Sequence, residues 1–95
     1  MAAITLPVLV QKGIPAEIIG VDSYKLGILL LEDDYGNKTD AIAAEHRHDP
    51  EMIAIKIFQK WINGDGKTPV TWATLIQVLR DLKMNRLCRD IENSL

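Results

Sequence analysis

Three amphipathic segments follow one another between Asp49 and Leu95, and each opens on a pattern that starts a helix. In Asp49-Pro50-Glu51 the aspartate can accept from the free N–H groups of a first turn, and proline at the first helical position lacks only an N–H that has no partner there. Glu51 then sits against the positive end of the helix dipole. Ile53, Ile57 and Trp61 recur every four residues, Ala54, Phe58 and Ile62 widen the stripe, and Lys56, Gln59 and Lys60 occupy the opposite face. Thr71 caps the second segment, with Trp72, Leu75, Ile76, Leu79 and Leu82 on one side and Thr74, Gln77 and Asp81 on the other. The third starts at Asn85 and sets Leu87, Cys88, Ile91 and Leu95 opposite Arg86, Arg89 and Asn93. Three apolar stripes in sequence have to be buried against other helices, so a helical bundle is expected.

The N-terminal half is read on the same terms. Ile4 to Val10 is apolar enough for a short first helix, punctuated by Gly13 and Pro15, so residues 1–20 form an irregular helical region. Asp22-Ser23 offers the next cap, and Tyr24, Ile28 and Leu31 follow at helical spacing, with Leu26, Leu29 and Leu30 widening the face. The unbroken run from Ile28 to Leu31 also fits a buried strand, and helix is preferred because no second strand is available to pair with it. After Glu32 to Gly36, Asn37 caps an alanine-rich helix through Asp40 to Glu45 that ends near His46 to His48. Asn63 to Pro69 is a loop dense in turn residues. The expectation is one domain over residues 1–95, with six helices and with residues 21–95 carrying the bundle.

At 95 residues there is room for one core and none for a second domain. A hydrophobic content of 47% and a charged content of 25% exclude wholesale disorder and a fibrous class. The formal net charge of −2 supplies no field that would draw the whole chain onto nucleic acid or an anionic membrane. A single cysteine and the lack of a secretory leader pattern point to a reduced, cytoplasmic setting. The most apolar run, Gly27 to Leu31, is far short of the about 20 residues that span a bilayer.

Residues that could carry chemistry cluster in three places. Glu45, His46, His48 and Asp49 lie close together, but metal sites on helices use ligands at i and i+4, whereas these straddle a helix end with no cysteine nearby; they read as a solvated connection. Gly64-Asp65-Gly66-Lys67-Thr68 suggests a phosphate loop, yet the position five before Gly66 is Trp61, inside a helix, so the spacing fails. Cys88 falls on an apolar arc, where a cysteine is inert. No catalytic, cofactor or metal site is expected. The rival reading is a helix-turn-helix over Thr71 to Leu95, with Arg80, Lys83, Arg86 and Arg89 set to contact phosphates, against which stand the acidic balance and the lack of a recognition helix rich in Arg, Asn and Gln.

Charge forms two opposed patches. Glu32, Asp33 and Asp34 are one; Lys56 and Lys60, at i,i+4, are the other. They read either as solvated surface or as two faces of a head-to-tail contact, and periodicity alone does not choose.

The residues themselves carry a resemblance. Ile42-x-x-Glu45-His46-x-x-Asp49-Pro50-Glu51, then Ile57-Phe58-x-x-Trp61, then Thr71-Trp72-x-x-Leu75-Ile76-x-x-Leu79, then Asn85-x-Leu87-x-x-x-Ile91-Glu92 resembles the death domain family of the death-fold superfamily, over about Asp22 to Leu95. Tyr24-x-Leu26-Gly27 stands where that family often has Trp-x-x-Leu-Gly. The resemblance implies an all-α, six-helix antiparallel Greek-key bundle without enzymatic activity. It implies homotypic association with other death-fold domains, self or heterotypic, in apoptotic, inflammatory or innate-immune signalling, with no small-molecule, nucleic-acid or membrane partner. It places Lys56 and Lys60 on one interaction patch and Glu32, Asp33 and Asp34 near its complement. Asn63, Asp65 and Lys67 fall on a loop patch, and Lys83, Asn85 and Arg86 on the corner that such a loop meets. The expected core is Leu26, Ile42, Ile53, Ile57, Trp61, Trp72, Leu75, Leu79, Leu87 and Ile91.

Overall fold

Thr5, Asp49 and Thr71 perform one task at three helix starts. Their side chains accept from Val8 N at 3.4 Å, Met52 N at 3.1 Å and Thr74 N at 3.2 Å, each satisfying a donor that the first turn leaves unpaired. The computed structural model describes residues 4–18, 21–31, 37–64 and 68–94. Among them the chain is helical, without a strand: α1 (Leu6–Gln11), α2 (Ile14–Glu17), α3 (Val21–Leu31), α4 (Asn37–Glu45), α5 (Pro50–Ile62), α6 (Trp72–Asp81) and α7 (Asn85–Ser94). The all-α class and the helical reading of Ile28 to Leu31 are therefore observed.

The first helix departs from expectation: it is two. Gly13 has φ of 72°, and its N–H is bonded to Val10 O at 3.0 Å, so α1 ends in a left-handed residue and α2 restarts at Ile14 with Pro15 in its first turn. Seven helices stand among the described residues in place of the six expected. Two caps also shift. The helix of Asp22 and Ser23 already includes Val21, and the Ser23 hydroxyl instead donates to Ile18 O at 2.8 Å, tying α3 to the end of α2. Asn37 is itself the first residue of α4.

Burial has one centre. α5 packs on α1, α2, α3 and α4, α3 reaches across to α6, and α6 carries α7. Phe58 and Trp61 are fully buried on α5, their rings 6.4 Å apart and inclined by 56°, and one hydrophobic cluster runs from Leu9 and Ile14 through them to Trp72, Leu79 and Ile91. Trp61 Nε1 is buried without a hydrogen-bond partner, so the ring is held there by its apolar area at the cost of an unsatisfied donor. Of the expected core, Ile53 is only partly buried, packed at the cluster's edge, and Val78, assigned to neither face of its helix, is buried.

The buried face of α3 is rotated from the expected one. Ser23, Leu26, Gly27, Leu30 and Leu31 face inward while Tyr24 is 38% exposed. Contact with α4 sets this phase: a Cβ on Gly27 would lie 3.1 Å from Thr39 Cβ, so only glycine admits α4 at this distance.

The α6–α7 turn is closed by a helix C-cap of Schellman type. Met84 N–H donates to Leu79 O and Lys83 N–H to Arg80 O, both at 2.9 Å, with Lys83 at φ of 63° where glycine is usual.

Candidate interaction surface

Lys56 and Lys60 project from the face of α5 opposite its buried stripe, as their spacing predicts, and both are partly buried along their stems. Lys56 Nζ lies 3.5 Å from Gln59 Oε1, a neutral acceptor, and no carboxylate contacts either lysine among the described residues. Asn63 caps the same helix, its N–H bonded to Gln59 O at 3.0 Å.

These side chains form one wall of a cleft. The other comes from the end of α4, where Ile42, Glu45 and His46 face Lys56, Gln59, Lys60 and Asn63 across about 430 Å³. Ile42 is buried at its base, and Glu45 is the cleft's single acid, 3.9 Å from His46 Nε2 and largely exposed. Glu45 and His46 also line a second hollow, with Arg47, His48 and Asp49, over the α4–α5 turn. Glu45, His46, His48 and Asp49 do not converge as ligands: no group of three or more His, Cys, Asp or Glu side chains suited to a metal occurs among the described residues.

The corner residues lie elsewhere. Lys83, Asn85 and Arg86 are exposed around the left-handed turn between α6 and α7. Beside them Arg80 Nη2 donates to Glu92 Oε1 at 2.9 Å, so one of the four cations of the helix-turn-helix reading is engaged within the chain. Asn85 and Arg89 border a small hollow with this pair and Cys88, sharing no residue with the α4–α5 cleft. The Cys88 thiol is buried and donates to Ile76 O at 3.4 Å; burial pushes its pKa up, Arg80 draws it down and Glu92 raises it. It is a poor nucleophile in this setting.

Glu32, Asp33, Asp34, Asp65 and Lys67 lie outside the described residues. Of the predicted interaction residues that are described, Lys56, Lys60 and Asn63 share one cleft, and Lys83, Asn85 and Arg86 share one turn. Sequence reasoning missed the α4 wall. Its signal was the four-residue connection from Glu45 to Pro50, which brings consecutive helices side by side. No helix among the described residues is long and apolar enough to cross a membrane.

Comparisons of the chain with protein-family models, with curated proteins and with solved structures return no match.

Proposed function

We propose that this chain is a death domain: a non-enzymatic module that associates with other death-fold domains, its own copies included, in intracellular signalling. In this reading α1 and α2 together are the first of six helices in a Greek-key bundle, broken at Gly13. The observation that carries the proposal is the division of labour on α5. One face grips four other helices, and the opposite face presents Lys56 and Lys60 in an open cleft, where no carboxylate contacts either lysine among the described residues. A helix so anchored holds its outward charges in a fixed place, which a specific protein contact requires. Support also comes from the resemblance itself, since Trp61, Trp72, Leu75, Leu79, Leu87 and Ile91, the residues that carry it, are core residues.

Sedimentation of the purified chain across protein concentration and salt tests the proposal. Association strengthening at low salt is expected, weakened by Lys56→Glu/Lys60→Glu and partly restored by Asp33→Lys/Asp34→Lys. A wild type that stays monomeric at high concentration and low salt removes the self-associating form. Unchanged association after the double reversal removes Lys56 and Lys60 from the interface.

A further inference from the structure

We propose that the α4–α5 cleft recognises a phosphate monoester, carried on a phosphorylated serine or threonine of a partner segment. This rests on reading the α5 face as an interaction surface and names the chemistry it selects.

Lys56 and Lys60 are one helical turn apart on the same face, so both ammonium groups can reach one anion from one side. Among the described residues no carboxylate contacts either: Lys56 meets the Gln59 amide oxygen, and Glu45 lies beside His46. Both lysine stems are partly buried and Ile42 closes the base, so their charges are screened less than those of a freely solvated pair. A phosphate monoester carries about −1.5 to −2 charges at pH 7 and three acceptor oxygens. Two lysines with an Asn63 or Gln59 amide N–H supply charge and donors for that set, and against Glu45 they leave a net positive cleft in which a doubly charged group gains more than a carboxylate with one charge and two oxygens.

Size and lining narrow the carrier. The cleft, about 430 Å³, exceeds an isolated oxyanion and has room for the side chain and backbone that bear it. His46, on the α4 wall, supplies its only aromatic ring among the described residues, a small platform compared with the indole and phenol rings that usually stack a nucleotide base or a phosphotyrosine. The carbonyl end of α5 and the Glu45 carboxylate disfavour an anion beside Asn63, and the two full positive charges of Lys56 and Lys60 oppose them.

Fluorescence anisotropy tests this with a labelled Gly-Ala-phosphoserine-Ala-Gly peptide and the full chain, at low salt and at a protein concentration where it is monomeric. Saturable binding is expected, weakened at least about tenfold in Lys56→Gln/Lys60→Gln and retained in Lys25→Gln/Arg89→Gln, which removes the same net charge from two exposed positions outside the cleft. Thermal melts of both variants establish that they are folded, and Lys60→Gln alone replaces the double variant if it is not. Absence of binding overturns the proposal, as does equal loss in both double variants, equal binding of the glutamate peptide, or tighter binding to phosphoinositide vesicles than to the peptide. A chain that self-associates through Lys56 and Lys60 yet ignores the phosphopeptide overturns this inference alone; one that binds the phosphopeptide but no death-fold domain overturns the homotypic reading alone.

Discussion

The hydroxyl of Thr68 donates to the carbonyl of Leu30 at 2.6 Å, joining the segment that leads into α6 to the last turn of α3. Leu30 is among the final four residues of its helix, whose carbonyls have no partner along the helix, so this side chain satisfies one of them. Thr68→Val keeps the shape and removes the donor. The expected loss is about 1 kcal/mol, seen as a melting temperature lower by about 4–8 °C. Thr68→Ser should keep most of the stability.

Gly13 and Lys83 occupy the same left-handed region, at φ of 72° and 63°, and substitutions there should act with opposite signs. A Cβ on Gly13 would meet nothing within 4 Å, so Gly13→Ala isolates the backbone cost, about 1 kcal/mol of destabilisation. Lys83→Gly relieves the same strain and should stabilise by about 0.5 kcal/mol after the extra freedom that glycine gives the unfolded chain. Urea denaturation of the two variants checks both directions.

Gly27→Ala pushes a methyl group into Thr39, which is itself fully buried. Such overpacking typically costs about 1–3 kcal/mol. Because the clash is with the threonine side chain, Thr39→Ala in the same molecule should recover part of the loss, and a double-mutant cycle would show a coupling absent from distant pairs. Simple additivity of the two effects would place the conflict with another neighbour.

Cys88 couples stability to alkaline pH. Burial, foremost, lifts its thiol above the ordinary value, so the folded chain holds the proton to higher pH than the unfolded one does. The stability this contributes is whole below the unfolded pKa and is lost as pH rises through the folded one. Melting temperatures taken from neutral pH to well above about 8.5 should fall further in the wild type than in Cys88→Ala. At neutral pH, alkylation of Cys88 should be slow and should follow the opening of the fold.

How much of this molecule was legible in its sequence depended on how local the determining force is. α5 and α6 start where Asp49 and Thr71 place them, because a cap acts within one turn, and α7 starts at Asn85 as its strong stripe predicts. For α3 the phase suggested by Tyr24, Ile28 and Leu31 is wrong: Ile28 to Leu31 is apolar on every side, and the face turned inward is the one tied by the Ser23–Ile18 bond and fitted by Gly27 to Thr39, both contacts outside the helix. The break between α1 and α2 was marked by Gly13 but not its direction, since a glycine allows a left-handed residue without demanding one. Half of the candidate site followed the same rule. The spacing of Lys56 and Lys60 was readable along one helix, whereas the wall made by Ile42, Glu45 and His46 depends on how two helices cross.

The two indoles in the core sit in different surroundings. Trp61 is fully buried beside Phe58, with no partner for its N–H among the described residues, while Trp72 carries the Lys12 ammonium 5.9 Å above its ring. Fluorescence of such a pair separates into a bluer, apolar emitter and one whose yield senses a neighbouring cation. The chain thus carries its own two-channel optical readout: the first channel follows the packing around α5, the second the contact of Lys12 with Trp72, and Trp72→Phe leaves the first to be read alone.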